Sequence, residues 1–463
     1  MEQNKTRQKY TLFVAIITAF LTTFTGSALN LSIPQIGSEF GSSATLIGWI
    51  VTGYLLASAV LSVPFGRIAD LTGKKRILVI GILIFSLTGG LCAFSGSIQI
   101  LLLFRILQGV GAAMIFSTNI ATLISAFPAE ARGKVLGYSV ASTYIGLSAG
   151  PVAGGFLNHT FGWRSIFLVI FLISFLVFLT AWKGLPSDAA HFAQGNHKEQ
   201  SDLPGNLLYI SMLACIMVGL SAWSTSPIAK FLVPLGLLLF VLFVRQELRA
   251  QAPVVEVRLF SHNLAYAFSN LAALMNYGAT FGIGYLLSLY LQLVRGYDSQ
   301  VAGLVLISQP LIMAFLSPLA GRLSDRVSPF KLASLGMAIT ALGVFSFVFL
   351  TEDYPMWLIV VNLVVIGVGF AFFSSPNTNA VMSCVEKKDY SVASSILATM
   401  RSIGHTSSMA IVTFITAAYL GQSKLAHADP ATLVILMRTS FITFTVICAA
   451  GIFIALKRKN PSC

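Results

Sequence analysis

The sequence predicts an all-α polytopic membrane protein: two six-helix bundles with two further helices inserted between them, fourteen transmembrane helices in all. Three observations lead there. Apolar runs of about 20 residues, long enough to cross a hydrocarbon core as a helix, recur along nearly the whole chain. Only 10% of the 463 residues are charged and 56% are hydrophobic, with a mean hydropathy of +0.84; soluble domains carry roughly 25% charged residues. A charged, Gly-punctuated turn at residues 66–76 (GRIADLTGKKR) has a second copy at 321–331 (GRLSDRVSPFK). Each copy follows one apolar run and precedes another, with Gly66/Gly321, Arg67/Arg322, Asp70/Asp325 and Arg76/Lys331 in register. Backbone amides in hydrocarbon must bond within their own segment, which favours helices, and the alternating pattern of a membrane barrel is absent.

Taken in order, the spans expected are 10–31, 45–65, 77–95, 99–124, 136–157 and 163–183. A polar linker, two extra spans (203–222 and 227–246) and a second polar linker follow. The last six spans are 264–293, 300–320, 332–350, 356–378, 392–420 and 433–456. The domains expected are therefore 1–183, 184–262 with the linkers and the extra pair, 263–456, and a tail at 457–463. The first span has no small-residue cleavage site behind it and reads as retained. The cations test the count. With the N-terminus inside, 22 of the 29 Lys and Arg fall in inside segments, 4 outside and 3 within spans (Arg105, Arg401, Arg438). That bias fits the positive-inside rule, with both termini cytoplasmic in a cell membrane. It also explains the net charge of +13 without invoking nucleic acid. The five Cys are scattered and suggest no disulfide framework.

The motifs resemble those of the major facilitator superfamily, and in particular its 14-span drug:proton antiporter branch. Residues 66–76 are similar to the superfamily's loop between spans two and three. Arg105-Ile-Leu-Gln108-Gly109-Val-Gly111 resembles its fourth-span motif. Gly146-Leu-Ser-Ala-Gly150-Pro151-Val-Ala-Gly154-Gly155 resembles the antiporter motif of span five. Trp163-Arg164 and Asn30-Leu-Ser-Ile-Pro34 add to the match. The resemblance implies the major facilitator fold and transport of a small-molecule substrate, coupled to protons, without an enzyme's chemistry or a cofactor. One departure stands out: residues 24–29 (FTGSAL) hold no acid where that branch commonly has one.

Each motif has a physical reading. Gly66, Arg67, Asp70, Gly73 and Arg76, with Arg322 and Asp325 in the second copy, form either a gate of charge-assisted hydrogen bonds or a solvated topological cluster. Arg105, with Gln108 beside it, is costly within a span. It bonds span-one backbone or attracts substrate, or else it snorkels to the outer surface. Gly146, Gly150 and Gly154, with Pro151, predict a tight, slightly kinked seam between the halves. Arg401 and His405 lie at i, i+4 and share a face; His405 could carry a coupling proton or be a polar core residue. Asn30, Asn119, Tyr138, Tyr144, Asn276, Tyr277, Gln292, Gln309 and Asn377 are candidates for a neutral, aromatic cavity lining.

No Asp or Glu falls within an expected span, so neutral, zwitterionic or anionic planar substrates fit better than permanent cations. A proton would need His405, Asp70 or Glu39. Proton-coupled efflux of amphipathic drugs and related small molecules is the first reading. A carrier for a specific neutral or anionic planar metabolite such as a vitamin, with import among its directions, is the second. The six His form no HxxxD or HExxH set, and no GxxxxGK[ST] is present, so neither a membrane enzyme nor an ATP-driven pump is expected. The partners expected are the small-molecule substrate, protons and the lipid bilayer, with the chain acting as a monomer.

Overall fold

The computed structural model describes the chain except residues 1, 186–201, 224–225, 251–252, 256, 259, 261–262, 325, 386–389, 422–427 and 457–463, and except the side chains of 2–5, 70, 129–134, 136–137, 140, 221, 390–392 and 394–395. The helices are α1 (Glu2–Leu29), α2 (Ile33–Phe40), α3 (Ala44–Thr72), α4 (Lys74–Ala93), α5 (Ile98–Ala126), α6 (Ala129–Phe161) and α7 (Arg164–Gly184). The inserted pair is α8 (Leu203–Ser221) and α9 (Ala229–Glu247). The second set comprises α10 (Leu264–Thr280), α11 (Gly282–Leu289), α12 (Ser299–Leu306), α13 (Ser308–Ser324), α14 (Pro329–Ser346), α15 (Met356–Ser383), α16 (Tyr390–Leu420) and α17 (Pro430–Leu456). No strand occurs among the described residues.

Starts and stops have local causes. Ser43, Ser97, Asn263 and Asp298 each accept a hydrogen bond from a backbone N–H three residues on, satisfying a donor that the first turn leaves free. Gly73, at φ 109°, is the single residue between α3 and α4, and its N–H donates to the Ala69 carbonyl at 2.9 Å. The second charged turn is built differently, with Ser328 and Pro329 opening α14. Asp325 lies outside the described residues, as does the Asp70 side chain.

Thirteen spans among the described residues are long and apolar enough to cross a membrane. The remaining expected span, α6, is 33 residues long but rich in Gly, Ser and Ala. It packs against α1 of its own set and against α12 and α13 of the other, so protein surrounds much of it. Two expected spans carry local irregularities. Residues 264–293 form α10 and α11, joined through Phe281, which keeps helical dihedrals and donates its N–H to the Tyr277 carbonyl, then a wider turn at Tyr290–Val294; residues 300–320 are α12 and α13, joined through Ile307, whose N–H donates to the Gly303 carbonyl.

Alternating direction is visible in the contacts at each face. Gln8 Nε2 donates to the Ala126 carbonyl and Lys75 Nζ to that of Leu185, so the start of α1, the end of α5, the start of α4 and the end of α7 share one face. At the opposite face the two sets meet. Thr45 Oγ1 donates to the Gly421 carbonyl (3.0 Å), Ser299 Oγ to Gly155 (3.1 Å) and Ser288 Oγ to Asn30 (2.6 Å). The inserted pair lies beside the α3–α16 seam: Tyr209 OH donates to the Ala59 carbonyl, and Ser407 Oγ lies 3.9 Å from Met217 S.

The duplication extends into the packing. Gly81 and Gly336, 255 residues apart like Gly66 and Gly321, each face a second glycine. A methyl built on Gly81 falls 3.1 Å from the Gly111 carbonyl oxygen, and one on Gly336 falls 2.6 Å from that of Gly369. Asn119 and Asn377, 258 apart, each donate at 3.1 Å to backbone of the first helix of their own set, at Ala15 and Ser269.

Candidate functional site

The site is built around α16. Helical spacing puts Arg401, Gly404 and His405 on one face, and Gly404 lets α10 approach: a methyl there would sit 2.7 Å from the Leu274 carbonyl oxygen. That approach brings up Tyr277. The Arg401 guanidinium carbon lies 5.4 Å from the Tyr277 ring centroid, and one of its N–H groups donates to Thr378 Oγ1 at 2.6 Å. The His405 ring stacks on Phe281 (centroids 4.4 Å apart, 30° between planes) and meets Tyr277 edge-on at 5.2 Å; Phe370 closes on Tyr277 at 5.1 Å. The Tyr277 hydroxyl is 3.0 Å from Ser374 Oγ. The Tyr144 hydroxyl, reaching across from α6 of the first set, is 3.4 Å from the same oxygen. One serine hydroxyl near mid-depth is thus approached from both sets.

Sequence reasoning finds Tyr144, Tyr277, Arg401 and His405 and misses Phe281, Phe370, Ser374 and Thr378. A signal for the last two exists in the polar run Ser374-Ser375-Pro376-Asn377-Thr378 inside an apolar span. Phe281 follows Tyr277 by four residues and so faces the same way, but an apolar aromatic in an apolar span gives no signal of its own.

The other candidates lie elsewhere. Asn119 and Asn377 tie helices within their own sets. Asn30 and Gln292 are near the closed face, where Gln292 Nε2 donates to Ser288 Oγ at 2.9 Å and the Asn30 carbonyl accepts from that hydroxyl. Asn276 is buried next to Tyr277 in sequence, with neither amide atom bonded. Gln309 is half-buried on α13 and packs its backbone on Gly367; Tyr138 is exposed on α6. Of the gate residues, Arg322 and Arg76 are exposed and Arg67 is half-buried.

Two expectations need correction. Arg105 neither bonds span one nor snorkels. It is 0% exposed, donates from Nε to the Ile50 carbonyl of α3 (3.2 Å) and from Nη1 to Gln108 Oε1 (2.6 Å), and lies over the Tyr54 ring at 4.2 Å. Residue 105 points into the interior of its own set, so the rings and carbonyls there hold it away from the surface. The glycine motif is not simply a seam between halves. Methyls on Gly146, Gly150 and Gly154 would strike α1, at 2.5 Å from the Phe20 carbonyl oxygen, 2.5 Å from Ser27 Cβ and 2.6 Å from Ala28 Cβ. Another side of α6 meets the second set: Gly155 and Pro151 face Ser299 and Gly303, and Leu147 packs on the second set's core. Glu39, a possible proton carrier by sequence, is engaged at the closed face by Trp163 Nε1 (2.7 Å) and by Arg164 (2.6 Å). The Arg164 hydrogen bond holds its carboxyl below the usual carboxylate range.

The family model described as Major Facilitator Superfamily matches residues 15–404 and again 269–462. The chain is 28% identical over 451 residues to the riboflavin transporter RibZ of Clostridioides difficile, covering 97% of each chain. It is 29% identical over 433 residues to the multidrug resistance protein Stp of Mycobacterium tuberculosis, covering 92% of this chain and 79% of that one. It is 27% identical over 406 residues to the methylenomycin A resistance protein of Bacillus subtilis, covering 86% of each. Among solved structures, a bacterial homolog to the human lysosomal transporter Spinster, inward-facing and unoccupied, aligns with a TM-score of 0.70 at 16% identity over 99% of both chains, a likeness of fold. With a family model spanning nearly its whole length and a fold to match, the chain belongs to the Major Facilitator Superfamily.

Proposed function

We propose that the protein is a secondary active carrier that exports amphipathic small molecules across the cell membrane in exchange for protons, its two six-helix sets rocking about the α16 site. The observation that carries this reading is Ser374, approached near mid-depth by Tyr277 of its own set and Tyr144 of the other. A ligand there is held by both sets, and its release can be coupled to their separation. The resistance proteins among the relatives support export. In this reading both termini are cytoplasmic, the chain works as a monomer, and the 66–76 and 321–331 turns latch the sets on the cytoplasmic side. His405 is the proton carrier in this reading: it takes a proton in the state that moves it away from Arg401 or hydrates it, because in this arrangement its ring contacts and the like charge one turn away favour the neutral imidazole.

A second reading, a carrier for one planar metabolite such as a vitamin, draws on the absence of acids from the expected spans and on the riboflavin transporter among the relatives. Cells expressing the protein in a background without other exporters separate the two. Export predicts that an uncoupler raises accumulation of a fluorescent substrate severalfold and that His405→Ala abolishes the uncoupler's effect. An uncoupler that lowers accumulation sinks export and leaves uptake.

A further inference from the structure

The chemistry of the ligand can be narrowed from the site's own groups, taking the α16 site as the transport site. Arg401 is a permanent charge near mid-depth, where charged groups are costly unless they face a partner or a cavity. Its Nε is buried without a hydrogen-bond partner, and only Thr378 accepts from its Nη2. No carboxylate among the described residues pairs with it. Beside it Phe281 and His405 stack face to face (centroids 4.4 Å apart), with Tyr277 edge-on to His405 at 5.2 Å and Phe370 edge-on to Tyr277 at 5.1 Å. Arg401, Phe281, His405, Thr378 and Tyr144 are half-buried while Tyr277 and Phe370 are buried, so Phe281 and His405 are the rings that border open space. The guanidinium therefore offers a planar fork of donors at one end of an aromatic surface.

We propose that this site takes planar aromatic ligands edged with hydrogen-bond acceptors or bearing a carboxylate, with the ring plane against Phe281 and His405 and the acceptor on Arg401, and that it rejects planar cations. An acceptor meets the guanidinium on the edge that neither Thr378 nor the surrounding protein covers, while the buried Nε stays behind it. A cation would instead bring two like charges together in a medium of low dielectric. The two rings accept any flat π-system, so discrimination falls to the one charged group.

Three fluorescent tricycles of similar outline test this on the purified full-length protein in detergent: lumichrome (neutral, carbonyl-edged), anthracene-2-carboxylate (anionic) and proflavine (cationic). Wild type is expected to bind the first two on the order of tenfold or more tighter than proflavine. Arg401→Gln should remove that preference, and Arg401→Lys should keep the rejection of proflavine while weakening lumichrome. Phe281→Ala should weaken all three alike. Thermal melting establishes that each variant is folded. Proflavine binding as tightly as lumichrome, no binding of any tricycle, or Arg401→Gln retaining the preference overturns the proposal. Because binding is read without a gradient, such failure leaves the export reading to the uncoupler experiment.

Discussion

The two six-helix sets share their packing and differ in where they put charge. Equivalent glycines face equivalent neighbours: a methyl on Gly146 meets the Phe20 carbonyl, and one on Gly404, 258 residues on, meets the Leu274 carbonyl. Both close the same helix pair, α6 on α1 and α16 on α10. The arginines within the spans do not repeat. At the same 258-residue offset, Arg105 has Leu363 as its counterpart, and Arg401 and His405 have Thr143 and Leu147. Arg105 is sealed inside its own set by Tyr54, Gln108 and the Ile50 carbonyl, whereas Arg401 lies where the first set's Tyr144 reaches in. Small residues fix how helices approach, which a duplicated scaffold must keep. A buried charge is costly and is kept only where it is held or used, so the unrepeated charges mark the asymmetric chemistry.

The sharpest way to break this comparison is to fill the shared glycines. Gly146→Leu and Gly404→Leu each push a side chain into the backbone of the partner helix, at a cost of about 3 kcal/mol or more. Because the two sites are equivalent, the losses in melting temperature and in yield of folded protein should match. Ready tolerance at one site and collapse at the other would show that the repeat is sequence ancestry only. Arg105→Ala comes next. It removes two hydrogen bonds and a cation–π contact and leaves a cavity, worth roughly 2–4 kcal/mol. The melting temperature should fall while the apparent affinity for every substrate stays put. An unaltered melting temperature with affinity lost would move Arg105 from its set's interior into the transport site.

Much of this was legible without the structure. Apolar run length and the alternation of cations locate the helices, since both follow from the bilayer. The site was half legible. Arg401 and His405 stand out because charge within a span is rare, and Tyr144 and Tyr277 because they are polar aromatics there. Phe281 and Phe370 are ordinary residues for a span; the polar run holding Ser374 and Thr378 stands out, but only packing of α10, α15 and α16 makes the four neighbours. The glycine stripe of α6 shows the limit plainly: spacing tells that Gly146, Gly150 and Gly154 share a face, but not that α1, rather than the second set, lies against it. Nor could spacing say which way Arg105 turns.

The smallest effect expected separates the closed-face corners of the two sets. In the first, Glu39 bonds Arg164 and the buried indole of Trp163; in the second, Arg295 and the exposed Asp353 are 3.5 Å apart. The Arg164 hydrogen bond lowers the Glu39 pKa in the folded state. The stability it contributes is therefore present above the ordinary carboxylate pKa and is lost as pH falls through the lowered folded value. Since Glu39 and Arg164 are both more than a third exposed, that contribution is about 0.2–1 kcal/mol. Glu39→Gln keeps an oxygen for the indole and loses the charge. Its small melting deficit against wild type should stay constant from pH 8 to about 5.5, begin to shrink near the usual carboxylate pKa, and vanish only below the lowered folded value. A deficit that instead changes between pH 5.5 and 7 would mean that Glu39 titrates in the working range, and the proton in the export reading would then pass from His405 to the corner that Glu39 shares with Arg164.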